Sequence, residues 1–209
     1  MVLKINGLTL SLGEGEDVLP GRVASLLGLP KGAVTELRVM RRSIDARRAR
    51  PPRFVYLVAL RLPDGTPWSV GAAEKGLTVT EVPDTPDGAQ SAPSAVPFPA
   101  PEGRTVVVGC GPAGLFSALT LARRGVAVLL LERGRPVTDR LGDIRAFWER
   151  GRFNPESHVH FGEGGAGTFS DGKLTSRANH PYTDWVKRTL VEMGAPADIL
   201  VDGRPHVGT

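Results

Sequence analysis

One cysteine, Cys110, stands among 209 residues, so the chain can form no internal disulfide and has no CxxC redox pair. Any redox chemistry must come from a bound cofactor. Histidine is scarce as well. His158 and His160 would share a face if they lay on a strand, but no further Cys or His cluster completes a site, and no metal is expected. Long apolar runs are missing too. The longest, Phe54 to Leu60 and Val126 to Leu131, fall far short of the roughly 18 residues that a membrane-spanning helix needs. The opening MVLKINGLTL lacks the continuous apolar segment of a secretory signal, and a cytoplasmic location is the expectation. No G-x-S-x-G strand-turn-helix context surrounds Ser170, which excludes a hydrolase built on that serine.

What is present is a globular composition, 41% hydrophobic and 23% charged, with a formal net charge of +4. Such a charge bears on solubility and association and names no chemistry. Six prolines between Pro83 and Pro101, interspersed with Ser, Ala, Asp and Gly, mark a linker. The expected organisation is therefore a small α+β domain over residues 1–80, a Pro-rich linker over 81–102, and a dinucleotide-binding domain over 103–209. Within the first, strand-like runs at Val2 to Leu12, Val34 to Arg41 and Phe54 to Leu62 flank a short helix carrying Leu19, Val23, Leu26 and Leu27. The order predicted is β-α-β-β, with Asn6-Gly7 a hairpin or bulge. Arg41 to Arg50 reads as a loop in a segment, Arg38 to Arg53, with seven arginines against one acid, Asp45. That segment could grip RNA or nucleotide phosphates, or be a solvated hairpin; no aromatics are interleaved to stack bases.

The chemistry lies after the linker. A β-branched run, Val106 to Val108, leads into Gly109-Cys110-Gly111-Pro112-Ala113-Gly114, a helix follows with Leu115, Ala118, Leu119 and Ala122 on its apolar face, and a second strand closes on Glu132. A lone GxGxxG is weak evidence. Here the strand before it, the helix after it and an acid 23 residues beyond Gly109 coincide, which is the β-α-β dinucleotide fingerprint. Gly109 permits the tight turn, Gly111 admits a pyrophosphate, and Gly114 lets helix and strand pack closely. Pro112 and Ala113 open the helix whose N-terminus faces the phosphates, and Glu132 is placed to accept hydrogen bonds from ribose hydroxyls. That carboxylate disfavours a 2′-phosphate, against which Arg133 beside it weighs. The pattern leaves FAD and NAD both open.

The order GCGPAGLF, LLLERG, DIRAFWERGRFNPESHVHFGEGGAGTFSDGKLTSR and RPHVGT resembles the N-terminal part of a bacterial family of FAD-dependent dehydrogenases. The likeness runs from about residue 37 to the end. It implies FAD as cofactor, an oxidoreductase activity of unnamed substrate with NAD(P)H a candidate electron donor, and an α/β, Rossmann-like FAD-binding domain of glutathione-reductase-like type. Members continue well beyond this point, so the domain reads as incomplete and the chain as one that needs the missing C-terminal part.

Five glycines between Gly162 and Gly172 form the most distinctive stretch. Gly164, Gly165 and Gly167 are expected where a side chain would collide with the cofactor, and Thr168, Ser170 and Lys173 could donate to a phosphate or to the flavin. Arg140 is expected either to neutralise a pyrophosphate oxygen or to pair with Asp139 or Asp143. It lies on a helix capped by Thr138 or Asp139, whose Leu141, Ile144, Phe147 and Trp148 should form a core stripe. A last helix is expected from Asp184 to Met193. Besides the flavoenzyme, two readings stay open: an RNA-binding or interaction module within an RNA-modifying flavoprotein, and an NAD-binding protein without flavin.

Overall fold

The computed structural model describes residues 1–48, 50–70, 76–83, 102–176, 180 and 182–207. They fall into two compact units, one built from 1–94 and 174–205, the other from 95–173 and 206–209. The linker expected at 81–102 lies outside the described residues from 84 to 101. Its first two positions end a strand instead.

The first unit is a four-stranded antiparallel sheet, in the order β2-β3-β1-β4, with one helix. Strand β1 (Val2–Ser11) shows how its sequence was shaped to one face. Leu3 and Ile5 are buried at odd positions, Leu8 and Leu10 at even ones. Alternation alone would send one pair to solvent. A bulge between Asn6 and Leu8 inserts the extra residue, Gly7, and returns both pairs to the core. Their partners on β3 (Arg53–Arg61) include Leu60 opposite Leu3, Val58 opposite Ile5 and Tyr56 opposite Leu8. Helix α1 (Leu19–Leu26) lays Leu19, Val23 and Ala24 on this face and stops at Gly28, in the left-handed region at φ 64°.

Three features depart from the expected β-α-β-β. A fourth strand, β4 (Thr78–Val82), pairs with β1; at five residues beside a Pro-rich stretch its signal was too short to read. Strand β2 runs Leu37–Asp45, so half of the arginine segment read as loop is strand. The third departure is that residues 174–205, assigned from sequence to the dinucleotide domain, group with this unit. Their chain meets the outer edge of β2: the Arg42 N–H donates to Val201 O and the Gly203 N–H to Arg42 O, both at 2.7 Å. The Arg42 side chain adds ion pairs to Asp202 at 2.9 Å, Asp198 at 3.5 Å and Glu16 at 3.3 Å. A polar edge strand is stable here because backbone and carboxylates cover it. Helix α4 spans Tyr182–Glu192.

The second unit contains a parallel pair, β5 (Thr105–Val108) and β6 (Val128–Leu131), joined through α2 (Pro112–Arg123). Val106, Val108, Leu129 and Leu131 leave one face of this pair exposed, Val108 at 81%. Helix α3 (Val137–Arg150) follows, with Pro136 rather than Thr138 or Asp139 at its N-cap. Its expected core stripe is corrected as well. Ile144 is buried, whereas Leu141, Phe147 and Trp148 are exposed, because Arg140 takes the inward position one turn before Ile144. Among the described residues no helix is long and apolar enough to cross a membrane.

Gly7 has φ 90°, and a Cβ there would lie 2.4 Å from Gly76 O. Replacing Gly7 with Ala should therefore cost about 2 kcal/mol of stability, read as a lower urea midpoint with the m-value unchanged.

Candidate functional site

The fingerprint turn connects β5 to α2; a Cβ at Gly109 or Gly111 would meet nothing within 4 Å, whereas one at Gly114 would not fit. Gly109 adopts φ 99° at the end of the strand. A Cβ on Gly114 would fall 1.8 Å from Gly109 O, so only glycine lets helix and turn pack this closely. Gly111, the N-cap of α2, has extended backbone at φ −80° and ψ −179° that any residue could adopt. A Cβ there meets nothing within 4 Å. The space in front of the helix N-terminus, where an anion would be favoured, is open.

Glu132 follows β6 directly and turns back onto this loop. Its carboxylate accepts from the Cys110 N–H at 2.7 Å and from the Gly134 N–H at 2.8 Å, and these two amides hold it below its ordinary value of 4.5. The sequence placed Glu132 toward a ribose; the structure gives its two oxygens these backbone partners, each with lone pairs to spare. Arg133 is exposed, 3.6 Å from Glu156 and over the Phe161 ring at 4.1 Å.

The glycine loop reaches the same turn. The Gly164 N–H donates to Cys110 O at 2.8 Å, and a Cβ on Gly165 would lie 3.2 Å from Gly111 Cα and 3.5 Å from Pro112 Cδ. Loop and fingerprint, 50 residues apart in sequence, are thus one structure. A 3-10 turn, Gly165–Phe169, follows. The protein itself occupies the space where the missing side chains would sit. A Cβ on Gly162 would strike Arg140 Cδ at 2.5 Å, and one on Gly164 would strike Thr168 Oγ1 at 2.0 Å. Only Gly167, with nothing within 4 Å, fits the expectation of a position cleared for something else.

The loop's polar groups are largely engaged. Thr168 Oγ1 donates to Glu163 O at 3.1 Å, Ser170 Oγ donates to Gly167 O at 2.8 Å, and Lys173 pairs with Asp171. Lys173 also forms an isolated bridge with His206. His158 and His160 lie on no strand; the His158 ring stacks near Phe161 and Phe153. Among the described residues no group of three or more metal-binding side chains occurs.

Arg140 is the residue whose surroundings the sequence did not foretell. It is fully buried, with neither Asp139 nor Asp143 as its partner. Its guanidinium donates to Glu163 O, to His158 O and Val159 O at 3.0 Å each, and to Gly165 O at 3.1 Å, while Phe169 lies against it at 4.9 Å. Nε has no acceptor, an omission worth about 1–3 kcal/mol. Burial pushes its pKa down, and Glu132 and Glu163 pull it back up from beyond ion-pair distance.

Comparison with known proteins bears on this unit. Residues 102–146, which span the turn, Glu132 and Arg140, match a family described as FAD binding domain. The match is to an FAD-binding domain family. Residues 2–61 match a family described only as a domain of unknown function. A Clostridium beijerinckii protein described as uncharacterised is 37% identical over all 209 residues, which span 38% of its length. A tRNA 5-methylaminomethyl-2-thiouridine biosynthesis bifunctional protein, MnmC, of Psychrobacter cryohalolentis is 30% identical over 104 residues, half of this chain and 14% of that protein. The FAD-binding match falls wholly within the second unit.

Glu132 sits lower in the folded state than its ordinary value of 4.5, so its hold on the turn is complete above that pH and is lost as pH falls through the lowered folded value. Glu132→Gln should lower the melting temperature at pH 7, and the gap from wild type should close as a pH series of thermal melts descends below 4.5.

Proposed function

We propose that residues 102–173 form the adenosine- and pyrophosphate-binding part of a Rossmann-like, glutathione-reductase-like FAD domain in an oxidoreductase. The observation that carries this reading is the open space at Gly111, beside a Gly114 that the protein's own backbone fills. A pyrophosphate would lie there against the N–H groups of Gly111 and Ala113, Pro112 having none to donate, drawn by the helix dipole. Glu132 would accept the ribose hydroxyls with its remaining lone pairs while keeping its two backbone donors. When bound, FAD supplies the capacity to take up hydride or electrons. The exposed face of β5 and β6 is, in this reading, covered by chain of the kind that the longer Clostridium relative carries.

Gly111 and Gly114 separate binding from folding. Gly111→Val should leave melting nearly unchanged and weaken FAD at least about tenfold, by retained absorption near the flavin bands after gel filtration. Gly114→Ala should lower stability first. Gly165, whose Cβ would press on the turn itself, cannot serve as the clean probe. Wild-type protein that retains NAD and no flavin would overturn the reading.

A second reading has one observation in its favour, the likeness to a tRNA-modifying protein. A cleft of about 950 Å³ in the first unit is lined by Arg41, Arg42, Arg47, Arg204, Ile44 and Phe54. Arg42 is committed to three carboxylates, and Arg47 and Arg53 share Asp45, whose carboxyl they hold well below the usual range. That leaves Arg41, Arg48, Arg50 and Arg204 for phosphates. Under this reading RNA binding should weaken steeply with salt and vanish when these four become Ser; indifference to RNA would count against it.

A further inference from the structure

Arg140 is buried, charged and without a carboxylate partner, an arrangement that folding alone disfavours and that an apolar residue of similar volume would avoid. Its contacts explain what it is for. Every acceptor of its two terminal nitrogens belongs to residues 158–168, and none to the fingerprint. The loop so gathered then acts on the fingerprint through one peptide. Cys110 O accepts from the Gly164 N–H, while the Cys110 N–H donates to Glu132, so the residue is gripped on both sides.

The grip has a direction. In a trans peptide the N–H points opposite to the C=O. Holding Cys110 O toward Gly164 therefore turns the Gly111 N–H the other way, toward the open space at the start of α2, where it has no acceptor among the described residues. We infer that Arg140 is a positioning residue for the cofactor: it fixes the Gly162–Phe169 loop through its carbonyls, and the loop in turn fixes the orientation of the Cys110–Gly111 peptide that would meet the pyrophosphate. The inference rests on the FAD reading above.

A planar fork is required for this task. The guanidinium serves carbonyls at 158, 159, 163 and 165 at once, which the three donors of an ammonium cannot do in one plane. Gly162 is its complement, because the Arg140 stem passes where a Cβ would stand. The sequence reading left Arg140 either a pyrophosphate oxygen directly or a salt bridge to Asp139 or Asp143; the inference gives it the pyrophosphate through two peptides.

The test is chemical rescue. In the full chain, Arg140→Ala should weaken FAD about tenfold or more, with ethylguanidinium restoring binding and ethylammonium failing to. Without cofactor, hydrogen exchange by NMR should show the Gly164 amide losing protection while the β5 amides keep theirs. Arg140→Lys should show the same loss in milder form, and it carries the test if the alanine variant does not fold. Wild-type affinity in either variant, equal rescue by ethylammonium, or a Gly164 amide that stays protected would overturn the inference while the FAD reading stands. Wild-type protein that retains no FAD overturns both.

Discussion

The second unit depends on backbone approaching backbone more closely than a Cβ permits. Gly114 lies against Gly109 O and Gly134 against Gly162 in this way, and Gly165 is a tight fit against Gly111, whose Cα would be 3.2 Å from a Cβ. These three contacts draw the first β-α-β turn, the segment after β6 and the distant glycine loop into one small volume. A side chain at Gly114 or Gly134 would meet backbone at under 2.5 Å, a separation that no rotamer change relieves. The glycines are thus consumed mainly by the protein's internal fit. In the turn and the loop the space they leave empty is at Gly109, Gly111 and Gly167.

Electrostatics follow from that packing. Bringing so many carbonyls together at residues 158, 159, 163 and 165 leaves acceptors without donors, and Arg140 supplies them from inside. Glu132 does the converse for the turn, accepting from two amides. The cation and the anion are not paired with each other. Each stabilises opposite ends of backbone dipoles, and the Cys110 peptide lies between them. In the first unit the same economy appears at a sheet edge, where Arg42 and the chain from Asp198 to Gly203 cover β2.

How much was legible varied with the range of the interaction. The order of the β-α-β unit was legible because a strand, a turn and a helix adjacent in the chain are specified by neighbours, although the second strand starts at Val128 and not Val126, and Leu115 and Ala122 of the expected apolar face are exposed. Asn6-Gly7 left a hairpin or a bulge open from sequence; the structure has the bulge, and the parity change in β1 shows why it is needed. The arginine segment misled, because a charged strand looks like a loop until the chain that covers its edge is known. Trp148 and Phe147 misled for a related reason: hydrophobicity gave α3 an inward face, but the guanidinium of Arg140 had the stronger claim to it.

By itself, then, the sequence determined the glycine-rich β-α-β turn, its acid at Glu132, the lack of a second cysteine among these 209 residues and the presence of a glycine-dense loop. These are properties of residue type and short spacing, fixed by φ/ψ limits and hydrogen-bond inventory. Only the tertiary structure decided that the loop packs on the turn, that Arg140 is buried among its carbonyls, and that residues 174–205 group with the first unit. Those outcomes depend on which distant backbone groups compete for one donor or one cavity. No local pattern encodes that competition, because its winner is set by geometry between segments 18 to 160 residues apart.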